Sequence, residues 1–182
     1  MIRITKLPKL SKRKNPHLED IEEFIENNSS DFRYLNKGIE GKTFYFKLNK
    51  KLVLNTEILK SGEYVLKIFF KHMIYSADQI KKLKILSKYG LIPKIFVITN
   101  KYVVMKYIKG NTFYALYNSN LLDTNDLEYI EDRKSRLIAI WAKLGFEDIL
   151  DIEHNDENIL VSDDLNHVYV IDPFLRDSKY CW

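Results

Sequence analysis

Asn158 and Asp172 stand fourteen residues apart, one before the apolar run Ile159–Val161 and the other closing "VYVID". Two short apolar runs separated by "DDLNH" predict a β-hairpin, which brings the second residue back beside the first. An amide oxygen and a carboxylate at one end of a hairpin make a hard-oxygen site suited to Mg²⁺. The same two residues also suit a plainer role, an Asn helping one turn and an Asp capping another. In front of them, "DIEHNDEN" (151–158) is dense in groups that move protons or bind cations. His154, Asn155 and Asp156 could form a metal cluster of their own only with a regularity that a loop need not supply.

Lys67 interrupts the apolar pattern "YVLKIFF". A lysine there either snorkels to the edge of its sheet or meets an anion in a cleft. In "NKGIEGKT", Gly38 and Gly41 lie between two strand-like runs, with Asn36 just ahead. Glycine has no Cβ and asparagine tolerates left-handed geometry, so backbone N–H groups in such a turn can approach phosphate. An ordinary hairpin would use the same residues.

These candidates need elements to place them. "NPHLEDIEEFIENN" predicts a helix, with Pro16 in its first turn and Leu18, Ile21, Phe24 and Ile25 at helical spacing. "DFRYLNKGIEGKTFYFKLN" predicts strand, glycine turn and strand, Phe44 and Phe46 alternating with polar neighbours; "GEYVLKIFF" is a third strand. "SADQIKKLKILSKYG" runs from a capping Ser76 to Gly90 as a helix. "IPKIFVITNKYVVMKYI" reads as two strands around an Asn-Lys turn. A long amphipathic helix over 124–146 follows, with Leu127, Ile130, Leu137, Ile138, Trp141 and Leu144 on one side, and then the hairpin. The pattern is α+β in two lobes, with the boundary near Lys109–Asn111.

In this order, the glycine turn, strand lysine, helix, linker, polar loop ending in Asn, and post-strand Asp resemble the protein-kinase superfamily. The resemblance covers roughly residues 32 to 174 and implies a two-lobe protein-kinase-like fold. Residues 1–31 are a basic arm and helix. On this resemblance residues 32–109 would be an N-lobe with a five-stranded antiparallel sheet and one helix, and 110–182 a reduced, mostly helical C-lobe. It further implies an ATP- and Mg²⁺-dependent phosphotransferase, acting on a protein Ser/Thr or on itself, or else a pseudokinase serving as a nucleotide-binding or interaction module.

Carried onto this chain, Gly38 and Gly41 would cover the phosphates, and Thr43 and Val65 would flank the adenine. Lys67 would bind the α/β-phosphates. Met105 would be the gatekeeper, and backbone groups around Lys106, Tyr107 and Ile108 would bond the adenine edge. Asn158 and Asp172 would hold Mg²⁺, with Glu153, or Asp151 as second choice, accepting the hydroxyl proton. Several positions depart from the family pattern. Asn36 replaces the first loop glycine, and Lys82 falls where a Glu usually pairs with the strand lysine, leaving Asp78 or Gln79 as substitutes one turn earlier. Glu153 stands where Asp is usual, and the metal motif reads Asp172-Pro173-Phe174. Only eight residues follow Phe174, as in minimal archaeal and bacterial kinase-like proteins. Apolar surface on the long helix would then be covered by Trp141, Tyr180 and Trp182, or by a partner chain.

Composition is consistent with these expectations. Of 182 residues, 46% are apolar and 13% aromatic, enough for a real core and unlike a disordered chain. The 29 basic and 25 acidic residues leave a net charge of only +4. Much of the excess lies in "KLPKLSKRK", which reads as a solvated arm rather than a nucleic-acid site. The single cysteine, Cys181, excludes an internal disulfide framework and suits a reducing cytoplasm. No signal-peptide core is evident, and no run approaches the roughly 18 apolar residues of a membrane span.

Overall fold

A computed structural model of the chain describes residues 21–37, 41–70, 77–119, 122–145 and 156–171. It is a mixed α+β structure built on a five-stranded antiparallel sheet. In chain order that sheet takes β1 (Asp31–Lys37), β2 (Gly41–Leu48), β5 (Gly62–Phe69), β6 (Ile95–Ile98) and β7 (Tyr102–Lys106), arranged β1-β2-β5-β7-β6. The five expected strands are therefore present. The stretch between β2 and β5, to which the sequence reading gave no element, forms a separate two-stranded hairpin of β3 (Leu52–Leu54) and β4 (Glu57–Leu59).

Alternation along β2 decides what each face does. Phe44, Phe46 and Leu48 are buried on one face, against Tyr64 and Leu66 of β5 and Val104 of β7. Ile21 and Ile25 of α1 (Ile21–Asn28) close this core, together with Leu54 and Leu59 of the β3–β4 hairpin. The hairpin turns at Asn55 and Thr56, both with positive φ (47° and 70°), as the twist of a two-residue β-turn demands. Between β6 and β7, the Thr99 hydroxyl oxygen accepts the N–H groups of Lys101 (3.2 Å) and Tyr102 (2.9 Å), fixing the expected Asn-Lys turn.

Helix α2 (Ala77–Lys88) joins β5 to β6 and stops at Gly90. Gly90 has φ +69°, and the N–H of Leu91 reaches back to the carbonyl of Leu86 at 3.0 Å, a left-handed glycine cap. The predicted cap at the other end, Ser76, lies outside the described residues. Leu83 and Leu86 of α2 face a second core with Leu91, Ile92, Ile130, Leu137, Trp141, Ile159, Val161 and Val170.

The chain changes sheets at Gly110. β8 (Gly110–Thr112) pairs with β9 (Ile159–Ser162), which pairs with β10 (Val168–Val170). The expected hairpin thus gains a third strand, too short for its pattern to be seen in sequence. α3 (Phe113–Ser119), also unanticipated, follows directly, and α4 (Thr124–Lys143) supplies the long helix. Asp123 caps α4 by accepting the Asp126 N–H at 2.8 Å. Trp141, proposed as cover for the helix, is fully buried in the second core. Among the described residues no helix is long and apolar enough to cross a membrane.

Candidate functional site

Antiparallel register sets the candidate residues in cross-strand rows. Thr43 of β2 lies opposite Lys67 of β5, which lies opposite Val103 of β7. Two residues along, Tyr45, Val65 and Met105 form the next row. Side chains alternate across a strand, so Thr43, Val65, Lys67 and Met105 share the sheet face opposite Phe44 and Phe46. Phe69, Val103 and Met105 form a buried apolar cluster on that face, with Val65, Ile95 and Ile98 packed beside them. Lys67 sits among them at 8% exposure, its ammonium 5.6 Å from the centroid of the Phe69 ring. It does not snorkel to a sheet edge. β5 is the central strand, and the lysine is held in the middle of the sheet.

Gly41 occupies the end of the same face, and its local requirement is steric. It pairs with Phe69, and a Cβ built on it would stand 2.1 Å from the carbonyl oxygen of Ile68. Only glycine lets the two backbones approach so closely there. Gly38 lies outside the described residues.

The linker after Met105 is partly committed to the fold. The N–H of Lys106 donates to the Lys94 carbonyl at 2.8 Å, and that of Tyr107 to the Glu63 carbonyl at 3.1 Å. Tyr107 also packs edge-on against Tyr45, with ring centroids 4.8 Å apart. Of the three linker N–H groups proposed to meet an adenine edge, that of Ile108 is the one with no backbone acceptor among the described residues. Further on, Lys109 pairs with Asp163 at 2.8 Å, which holds the lysine above its ordinary pKa, chiefly through that hydrogen bond.

Asn158 is the last residue of a 3₁₀ turn, Asp156–Asn158, immediately before β9; it is not part of the strand. Its carbonyl accepts the N–H of Ile171 at 3.0 Å, extending the Val170–Ile159 pairing by one residue. The backbone leading into Asp172 is therefore brought beside Asn158, as the hairpin argument expected. Asp172 itself, and Asp151, Glu153 and His154 of the polar loop, lie outside the described residues. On α2, Gln79 and Lys82 are both half-buried; the side chain of Asp78 lies outside the described residues.

One residue of this region went unread in sequence. Lys134 of α4 is 8% exposed, with its ammonium 2.5 Å from the Asp156 carboxylate and 5.0 Å from the centroid of the Phe113 ring. The signal was available. Ile130, Lys134, Leu137 and Trp141 are the buried residues of α4, so a lysine fills a core position of an otherwise apolar stripe. Asp156 is thereby engaged by a cation, and among the described residues no group of three or more His, Cys, Asp or Glu could hold a metal ion.

No protein-family model matches the sequence, and no curated protein is similar enough to count as a relative.

Proposed function

We propose that the chain is an ATP- and Mg²⁺-dependent phosphotransferase of protein-kinase-like design, with lobes over 32–109 and 110–182. It transfers the γ-phosphoryl group to a hydroxyl, that of a protein Ser/Thr or of the chain itself. The observation that carries this reading is Lys67. It is a cation held in the central strand, with Thr43, Val65 and Met105 on the same sheet face, and a charge beside an apolar surface is the combination that a nucleotide's phosphates and base would meet.

In this reading Thr43 and Val65 flank the adenine, Met105 backs it, and the N–H of Ile108 bonds its edge. Asn158 and Asp172 supply the oxygen ligands for Mg²⁺, a pairing that the Ile171–Asn158 hydrogen bond favours. Bound Mg²⁺ neutralises charge developing on the transferred group. Glu153 takes the proton of the acceptor hydroxyl, with Asp151 as the alternative.

A second reading, a pseudokinase acting as a nucleotide-binding or interaction module, is favoured by one observation. Lys82, half-buried on α2, holds the sequence position at which the kinase resemblance expects a Glu. Two measurements on the full chain separate the readings. ATP with Mg²⁺ is expected to raise the melting temperature of the wild type but not of Lys67→Met, and absence of any shift in the wild type rejects both nucleotide readings. Label from γ-labelled ATP is expected on an acceptor or on the chain, falling at least about 100-fold in Glu153→Gln, as for loss of a general base. A melting shift without label transfer selects the pseudokinase.

A further inference from the structure

We infer that Lys134 is a positioning residue for the metal site, acting through Asp156 to hold Asn158 in its ligating place; this rests on the function proposed above. The 3₁₀ turn that ends in Asn158 is three residues long and is fastened at both ends. At its far end the Asn158 carbonyl receives the Ile171 N–H at 3.0 Å. At its near end the Asp156 carboxylate receives the Lys134 ammonium at 2.5 Å. One tie fixes the turn to the strand that leads to Asp172. The other fixes it to a long capped helix of the second core.

Lys134 is poorly explained as packing alone. Its neighbours in the stripe, Ile130, Leu137 and Trp141, are fully or almost fully buried hydrophobic side chains, and a leucine would continue the pattern without desolvating a charge. The ammonium also lies over the ring of Phe113, the first residue of α3, so it meets carboxylate on one side and aromatic face on another. A flexible side chain held by two such partners has little rotational freedom left. It therefore transmits the fixed position of α4 to Asp156 and, through a single intervening residue, to Asn158. A metal ligand so close to its support depends on that support for orientation, as ligands generally do on the groups behind them.

The test is Mn²⁺ titration of ATP binding to the full chain, followed by melting temperature and by calorimetry, with metal-free ATP binding measured alongside. Lys134→Met is expected to weaken the apparent Mn²⁺ affinity by about tenfold or more, leaving metal-free ATP binding, which depends on Lys67 and the linker, near the wild-type value. Lys134→Arg, which keeps a cation for Asp156, is expected to recover most of the loss, an outcome that lost packing would not produce. Should Lys134→Met fail to show a cooperative melt, Asp156→Asn carries the same readout with the core intact. The inference is overturned if Asn158→Ala loses the metal response while Lys134→Met, or Asp156→Asn in its place, keeps it. A wild type with no metal-dependent ATP binding at all rejects the proposed function together with the inference, and that result is distinct from the first.

Discussion

At the residue scale, the two buried lysines differ in what sequence could reveal. Lys67 breaks a strand pattern and is conspicuous for that reason. Lys134 is surrounded by the polar residues that any amphipathic helix carries, and only its phase within the apolar stripe marks it. Its partner Asp156 is 22 residues away in sequence, a pairing that periodicity cannot supply. Thr56 offers a separate test at this scale. A β-branched residue with φ +70° is strained, and two-residue hairpin turns prefer glycine where φ is positive. Thr56→Gly is expected to stabilise the protein by about 1 kcal/mol, the relieved strain exceeding the added freedom of the unfolded chain. Urea denaturation measures it. A lowered midpoint would show that the turn is not strained at this position.

The elements divide by whether their signals are local. The five strands of the large sheet and helices α2 and α4 were legible because alternation, helical spacing and a cap such as Gly90 lie within their own residues. The β3–β4 hairpin was not, since its turn is Asn-Thr rather than Asn-Gly and each strand has three residues. α3 begins Phe-Tyr and has no charged residue. β8 exists because β9 is there to pair with it. Gly110 makes that dependence testable: a Cβ on it would stand 2.0 Å from the carbonyl oxygen of Val161. Backbone cannot yield as a flexible side chain does, so Gly110→Ala must part β8 from β9 or twist both. The expected cost is about 2–3 kcal/mol, in the range of overpacking changes, with hydrogen-exchange protection lost first at the amides that face β8, those of Val161 and Asp163, the latter donating to the Lys109 carbonyl. Unchanged protection there would mean that β8 does not pair as described.

For the whole molecule, the decisive element is α2. Its place in the chain, between β5 and β6, assigns it to the large sheet. Its buried residues Leu83 and Leu86 belong to the same buried cluster as Ile130, Leu137 and Trp141 of α4, with Ile95 and Ile98 of β6 packed against it. A boundary drawn near residue 110 from sequence divides the chain at a real change of sheet, but no local pattern could show that a helix from the first part is packed into the second. A shared cluster of this kind would couple the two sheets mechanically, and Leu86 is where the coupling can be measured. It is 0% exposed, so Leu86→Ala is expected to destabilise by about 2–5 kcal/mol. If α2 ties the halves together, unfolding followed by far-ultraviolet circular dichroism, which weights the large sheet and helices alike, and by tryptophan fluorescence, to which the buried Trp141 contributes, will shift to the same new midpoint. Separate midpoints, with only the fluorescence transition lowered, would mean that the second core melts alone and that α2 stays with the sheet. The same coupling bears on the proposed chemistry. Lys67 belongs to the large sheet and Asn158 immediately precedes β9 of the other sheet, so a common midpoint would also show that the two ends of the candidate site are ordered by one cooperative unit.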